Sequence, residues 1–184
     1  GLGYNRRAKY LHNAARIIAD EWQGVLPPDT AKLQTLPGIG HNTAAAIVAY
    51  AYNQLAYFIE TNVRTVYIHH FFADADNIAD SDIMPYLEAT IDTEQPCEFY
   101  WALMDYGSHL KATIGNPNHR SKHYAKQSRF EGSLRQIRGQ VIRQLTEGNR
   151  SIDELSQHIT DERLTDVLTA LIKEGLIQNQ KGIY

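Results

Sequence analysis

The chain has 184 residues, a formal net charge of −3 at neutral pH, 43% hydrophobic residues and one cysteine. That length holds one domain, or a domain with a small appendix, and the apolar fraction is that of a globular protein. The lone Cys97 excludes an intrachain disulfide and a cysteine-ligated cluster, and it suits a reducing, cytoplasmic setting. The longest apolar run, residues 44–52, is too short to span a membrane, and no signal peptide is visible at Gly1. The chain opens in mid-pattern, which reads as a fragment whose upstream part lies outside this sequence.

In chain order, residues 6–21 are expected to form a helix with Ala8, Leu11, Ala15, Ile18 and Ala19 on one face. Gly24 stops it, Pro27-Pro28 form a linker, and Asp29 or Thr30 caps a short helix to Thr35. Leu36-Pro37-Gly38-Ile39-Gly40-His41-Asn42-Thr43 reads as a turn that Pro37 opens and two glycines shape. Residues 43–52 read as a buried alanine-rich helix, and 56–59 as extended chain or turn. Glu60-Thr61-Asn62 opens a helix through Phe72, with Val63, Val66, Tyr67 and His70 on one side.

Asp80 or Ser81 is expected to cap a helix over 82–92, and 98–108 form another, with Tyr100, Leu103, Met104 and Gly107 at packing spacing. Ile114-Gly115-Asn116-Pro117-Asn118 is a loop. Beyond Ser133 the pattern changes. Residues 134–146 form a helix that Gly148 ends, Ser151 starts a second and Asp161 caps a third. Gly175 to Gln178 then alternate into Gly182-Ile183-Tyr184, a hairpin or wing, so residues 131–184 resemble a winged-helix module. The third helix of such a module often enters a DNA groove. Here residues 161–169 carry acidic side chains and the single arginine Arg163, which favours a packing or capping role.

Two features point to nucleic acid. A helix, a glycine turn and a second helix form a device for one phosphate, because first-turn amides lack internal partners and the helix dipole adds positive potential. Gly38, Gly40, His41, Asn42 and Thr43 would line it. The region 106–143 carries eight basic residues against one acid, Glu131, on a mildly acidic chain. Lys111, Arg120 and Lys122 are its candidate phosphate contacts, with a solvated face as the plainer alternative. The histidines His69, His70, His109, His119 and His123 do not form a metal-ligand spacing.

Four stretches carry a family resemblance. Gly1-Leu2-Gly3-Tyr4-Asn5-Arg6-Arg7-Ala8-Lys9-Tyr10-Leu11-His12 resembles the GLGYYxRAxxLH stretch of A/G-specific adenine DNA glycosylases. Leu36-Pro37-Gly38-Ile39-Gly40 is similar to the hairpin of the wider helix-hairpin-helix glycosylases, endonuclease III among them. Phe58-Ile59-Glu60-Thr61-Asn62-Val63-Arg64 resembles their catalytic loop, and Met104-Asp105-Tyr106-Gly107 the Met-Asp-Leu-Gly helix that follows. Order and spacing agree over about the first 110 residues, which makes the set more specific than any one motif.

The resemblance implies a mainly α fold: a partial helix-hairpin-helix glycosylase bundle over residues 1–130, plus the winged-helix-like module over 131–184. It implies base-excision repair by a monomer acting on double-stranded DNA in the cytoplasm, at the nucleoid, with no membrane partner. The reaction implied is hydrolysis of the glycosidic bond of adenine mispaired with guanine or 8-oxoguanine. Glu60 stands where the family has an aspartate that stabilises the developing sugar cation. It supplies the charge one methylene further out, at a helix N-terminus that favours an anion. Asn42 stands where bifunctional members carry a Schiff-base lysine, so no covalent amine route is expected.

Tyr4 matches the tyrosine that reaches the duplex near the lesion, or is a core aromatic. The carbonyls of Gln34, Leu36 and Ile39 match positions that hold a potassium or sodium ion, and no other cofactor is required. No iron–sulfur cluster is expected, and the basic segment 111–138 occupies that place. The family's general-acid glutamate lies before the Gly-Leu-Gly-Tyr stretch, so residues 1–184 alone are expected to be inactive. Two alternatives remain open: a glycosylase for thymine or uracil in mismatches, and a non-catalytic DNA-binding protein that keeps the clamp.

Overall fold

A computed structural model describes residues 5–126 and 129–184; Tyr4 lies outside the described residues. These are mainly helical, and their β features are isolated bridges. None of the described helices is long and apolar enough to cross a membrane. The chain divides into two compact units, residues 16–126 and residues 1–15 with 127–184. The sequence reading instead grouped the first fifteen residues with 16–130.

Helix α1, Asn5–Glu21, ends in a left-handed pair, Gln23 and Gly24. Its buried side differs from the expected stripe. Ala14 is buried and Ile17 and Ile18 half-buried, whereas Ala8, Ala15 and Ala19 are exposed and Leu11 is 65% exposed. Small apolar residues lie all round this helix, so the facing surface, not the periodicity, selects the buried side.

In the larger unit, α2, Thr30–Leu33, is capped by Asp29, whose carboxylate accepts the amides of Ala31 and Lys32. Helix α3, His41–Tyr52, buries Ala44, Ala45, Val48 and Ala49 and ends at a left-handed Asn53. Helix α4, Thr61–Phe71, is the centre of this unit and buries Val63, Thr65, Val66, Tyr67 and Ile68. Helix α5, Asp80–Thr90, starts two residues earlier than expected. Its helix-start carboxylate is that of Asp82, which accepts the Ala79 amide, while Asp80 forms a two-bond ion pair with Arg64 of α4 at 2.7 and 2.8 Å. Helix α6, Pro96–Thr113, packs along α4.

Gly107 permits that approach. A Cβ there would lie 2.4 Å from the Asn62 carbonyl oxygen, nearer than any side chain tolerates. Gly107→Ala is therefore expected to destabilise the unit by about 3 kcal/mol. Urea unfolding would check this; an unchanged midpoint would mean the helices can separate without loss.

The smaller unit has its own core of Ile137, Val141, Leu155, Ile159, Leu164, Val167, Leu168 and Leu171. Three helices supply it: α7, Leu134–Glu147; α8, Ile152–His158; and α9, Leu164–Lys173. Ser133 caps α7, and Ser151 with Glu154 forms a reciprocal cap on α8. Asp161 does not cap α9 as expected. Its carboxylate accepts the amide and guanidinium of Arg163, which holds it down at about 2, and α9 starts after Arg163. Where a hairpin was expected, the described residues show antiparallel bridges of Ile183 to Ser151 and to Gln180.

Candidate functional site

The site is built on the turn between α2 and α3. Gly38 has φ +77°, a conformation that favours glycine, and the Ile39 amide closes the turn on the Leu36 carbonyl at 3.2 Å. Gly40 precedes α3 in extended backbone and brings no capping side chain. The first α3 amide with an intrahelical acceptor is that of Ala44, bonded to Gly40. The amides of His41, Asn42 and Thr43 therefore open at the helix start, where an anion is favoured. All three residues are exposed.

The His41 and Asn42 side chains reach back to the segment that ends in Glu60. The Asn42 amide donates to the Ile59 carbonyl at 2.8 Å, and His41 Nε2 lies 3.2 Å from the Tyr57 carbonyl. Tyr100 of α6 holds the same segment from its own helix. Its hydroxyl donates to the Ala56 carbonyl at 2.9 Å and accepts the Phe58 amide at 3.2 Å, with the two rings stacked at 4.0 Å. Burial raises the Tyr100 hydroxyl well above the usual phenol range, so it stays a donor. Four consecutive residues, 56 to 59, are thus fixed before Glu60 by a hairpin helix and a core helix.

Glu60 is the N-cap of α4 and half-buried. Its Oε1 accepts the Asn62 amide at 2.6 Å and the Val63 amide at 3.2 Å. The extra methylene relative to aspartate is taken up by this fold-back onto the first turn. Among the described residues Oε2 has no hydrogen-bond partner.

The basic candidates separate. Arg120 is committed to the end of α4: Nη1 donates to the carbonyls of Phe72 and Ala73 at 2.5 and 2.6 Å, and Nη2 to that of Ile68 at 3.3 Å. Ile68 lies in the last turn of α4, and Phe72 and Ala73 directly follow that helix, so Arg120 is accounted for as a cap and not as a phosphate contact. Two residues before it, the buried Asn118 amide donates to Thr61 and Thr65 at the other end of α4. The segment expected to touch DNA in place of a cluster loop straps α4 at both ends. Lys111 is half-buried and Lys122 exposed, and neither ammonium has a partner among the described residues. The reading of sequence missed Tyr100, whose spacing marked it only as packing, and Asn118, whose Asn-Pro-Asn setting marked only a loop.

No group of three or more His, Cys, Asp or Glu among the described residues is arranged to hold a metal ion. The carbonyl set of Gln34, Leu36 and Ile39 differs in chemistry. Leu36 already accepts one amide, while Gln34 and Ile39 accept no backbone amide among the described residues.

Over 199 residues the chain is 32% identical to an adenine DNA glycosylase of Mycolicibacterium smegmatis, an alignment that covers 96% of this chain and 67% of the relative. The chain belongs to the adenine DNA glycosylase family. Further family relatives include that of Mycobacterium tuberculosis, 41% identical over 110 residues (58% of this chain, 36% of the relative). The mouse adenine DNA glycosylase is 30% identical over 146 residues (77% and 28%). The chain thus spans two thirds of the first of these relatives and about a third of the other two. No protein-family model matches it. Adenine DNA glycosylases are DNA N-glycosylases, hydrolases acting on glycosyl bonds.

Proposed function

We propose that this chain carries the phosphate clamp and the cation-stabilising carboxylate of an enzyme that removes adenine mispaired with guanine or 8-oxoguanine. The observation that supports this most is the tie between clamp and carboxylate: Asn42 and His41 of α3 hold the carbonyls of Ile59 and Tyr57, directly before Glu60. A phosphate seated on the α3 amides would then fix the register of the flipped nucleotide against Glu60.

In the proposed reaction the bond between the sugar and adenine breaks, and its electron pair leaves with the base. The Glu60 carboxylate faces the positive charge that grows on the sugar, and a water molecule completes hydrolysis by adding to that carbon. The proton for the departing adenine is not assigned to any residue of this chain. The Gln34, Leu36 and Ile39 carbonyls would hold a potassium or sodium ion, whose charge would strengthen phosphate binding at the hairpin.

A second reading, a DNA-binding protein without catalysis, draws on Glu60 itself, since its two amide bonds account for the residue as a helix cap. Single-turnover base release from duplexes holding adenine opposite 8-oxoguanine or guanine, and thymine or uracil opposite guanine, tests these readings. The proposal requires adenine release from the first two. Release confined to thymine or uracil, or none in the full-length protein, would overturn it.

Asn42 is expected to give no borohydride-trapped adduct with an abasic duplex, because an amide nitrogen is not nucleophilic and this one already donates to Ile59. An adduct mapping to position 42 would refute hydrolysis as the sole route. The double substitution Lys111→Glu, Lys122→Glu is expected to weaken binding to every duplex alike and to lower the salt slope by about 2. Arg120→Ala should instead lower the unfolding midpoint and leave that slope in place. Anisotropy titrations at several salt concentrations separate the two.

A further inference from the structure

Glu174 closes α9 and gathers three cations. Arg6 Nη2 lies 2.9 Å from its Oε1, and Arg138 Nη2 lies 2.6 Å from its Oε2. The Lys9 ammonium donates to the Glu174 carbonyl at 2.6 Å. Arg6 and Lys9 stand on the first turns of α1, and Arg138 on α7. The anchor is rigid because α9 ends in a closed motif. The Gly175 amide donates to Ile172 at 2.8 Å and the Leu176 amide to Leu171 at 3.0 Å, around a left-handed Gly175. Lys9 meets the carbonyl end of α9, where a cation is favoured. The Glu174 side chain is only 17% exposed, and the Arg6 bond, then the Arg138 bond, hold its carboxyl below the usual range.

The third helix of this module is poorly built to read DNA. Arg163, the one arginine of the 161–169 segment, is bonded to Asp161 and to the Gly132 carbonyl, and α9 brings Asp166 to its first turn. Yet the module clasps Arg6 and Lys9, two of the three basic residues of the Gly1–His12 stretch, the motif that by resemblance faces the lesion through Tyr4. These cations would otherwise be free for phosphates.

We propose that Glu174 is a positioning residue for lesion recognition: through Arg6 and Lys9 it holds the first turns of α1 on the C-terminal helices, so the module serves recognition without touching DNA. This rests on the glycosylase reading above. The probe is a duplex with a stable abasic-site analogue opposite 8-oxoguanine, set against a matched duplex of the same length.

Glu174→Gln and Arg6→Gln are each expected to lower the preference for the lesion analogue about tenfold, with matched-duplex affinity within about twofold. Each should also speed amide exchange over residues 8–15 by about tenfold, and Arg6→Lys should restore part of both. Arg6 is 64% exposed, so Arg6→Gln leaves the module core intact even if Glu174→Gln loosens it by stranding Arg138.

Unchanged exchange over 8–15 in both variants overturns the clasp. Faster exchange with an unchanged preference overturns the recognition role. A loss of matched-duplex affinity equal to the loss for the lesion would make Arg6 a phosphate contact and also overturn it. A wild-type chain with no preference for the analogue would instead overturn the glycosylase reading on which the proposal stands.

Discussion

Glu60→Gln is expected to slow single-turnover adenine release in the full-length protein by on the order of 10² to 10³, while DNA affinity changes little. The substitution isolates charge from shape. Glutamine keeps the length of the side chain, and its carbonyl oxygen can still accept the Asn62 and Val63 amides that Oε1 accepts now. The start of α4 should therefore survive, and the unfolding midpoint should stay close to that of the parent. What is lost is the negative charge opposite a sugar that becomes positive only as the base departs. An interaction that strengthens only in the transition state acts on the rate and not on ground-state binding. A variant as fast as its parent would leave Glu60 as a helix cap and favour the non-catalytic reading. A variant that is slow because it is partly unfolded would show it in the midpoint, so that outcome cannot pass for the electrostatic one.

Gly40→Asp is expected to abolish duplex binding at physiological salt, a fall in affinity of at least about a hundredfold. The position is suited to the test because nothing lies within 4 Å of where its Cβ would stand. Its backbone is extended with φ −91°, which any residue adopts. Aspartate is also a good residue before a helix, so it should cap α3 and preserve the fold. The carboxylate would then occupy the amides of His41, Asn42 and Thr43 and repel the phosphate meant for them. Gly38 would be a poor choice, since its left-handed backbone makes any side chain a strain on the turn itself. Gly40→Ala serves as the control: it fills the same space with no charge and should bind within a few-fold of the parent. Equal affinity of the aspartate variant and the parent would remove the hairpin from the DNA interface.

How much of this was legible beforehand differs from residue to residue. The hairpin was, because Pro37, Gly38 and Gly40 dictate backbone angles locally and the alanine-rich run after them can only be a close-packed helix. Glu60 at a helix start was legible for the same reason: a carboxylate next to free first-turn amides is a local event. The family was legible because four motifs in order constrain one another, and the relatives agree.

What the tertiary structure alone decided concerns partners far apart in the chain. Arg120 read as a phosphate contact because its charge is visible in the sequence, whereas the carbonyls at and just beyond the end of α4 that take up its donors lie about fifty residues earlier. The inward face of α1 was misassigned because small apolar residues surround the helix, and which side is buried depends on what packs against it. Gly107 read only as a packing position on its helix, and its partner, the Asn62 backbone pressed against it from another helix, was not legible. Sequence determined the local backbone chemistry of the hairpin turn and of the helix start at Glu60. Long-range packing decided which charges remain for DNA, because a charge is free only if nothing distant in the chain has already claimed it.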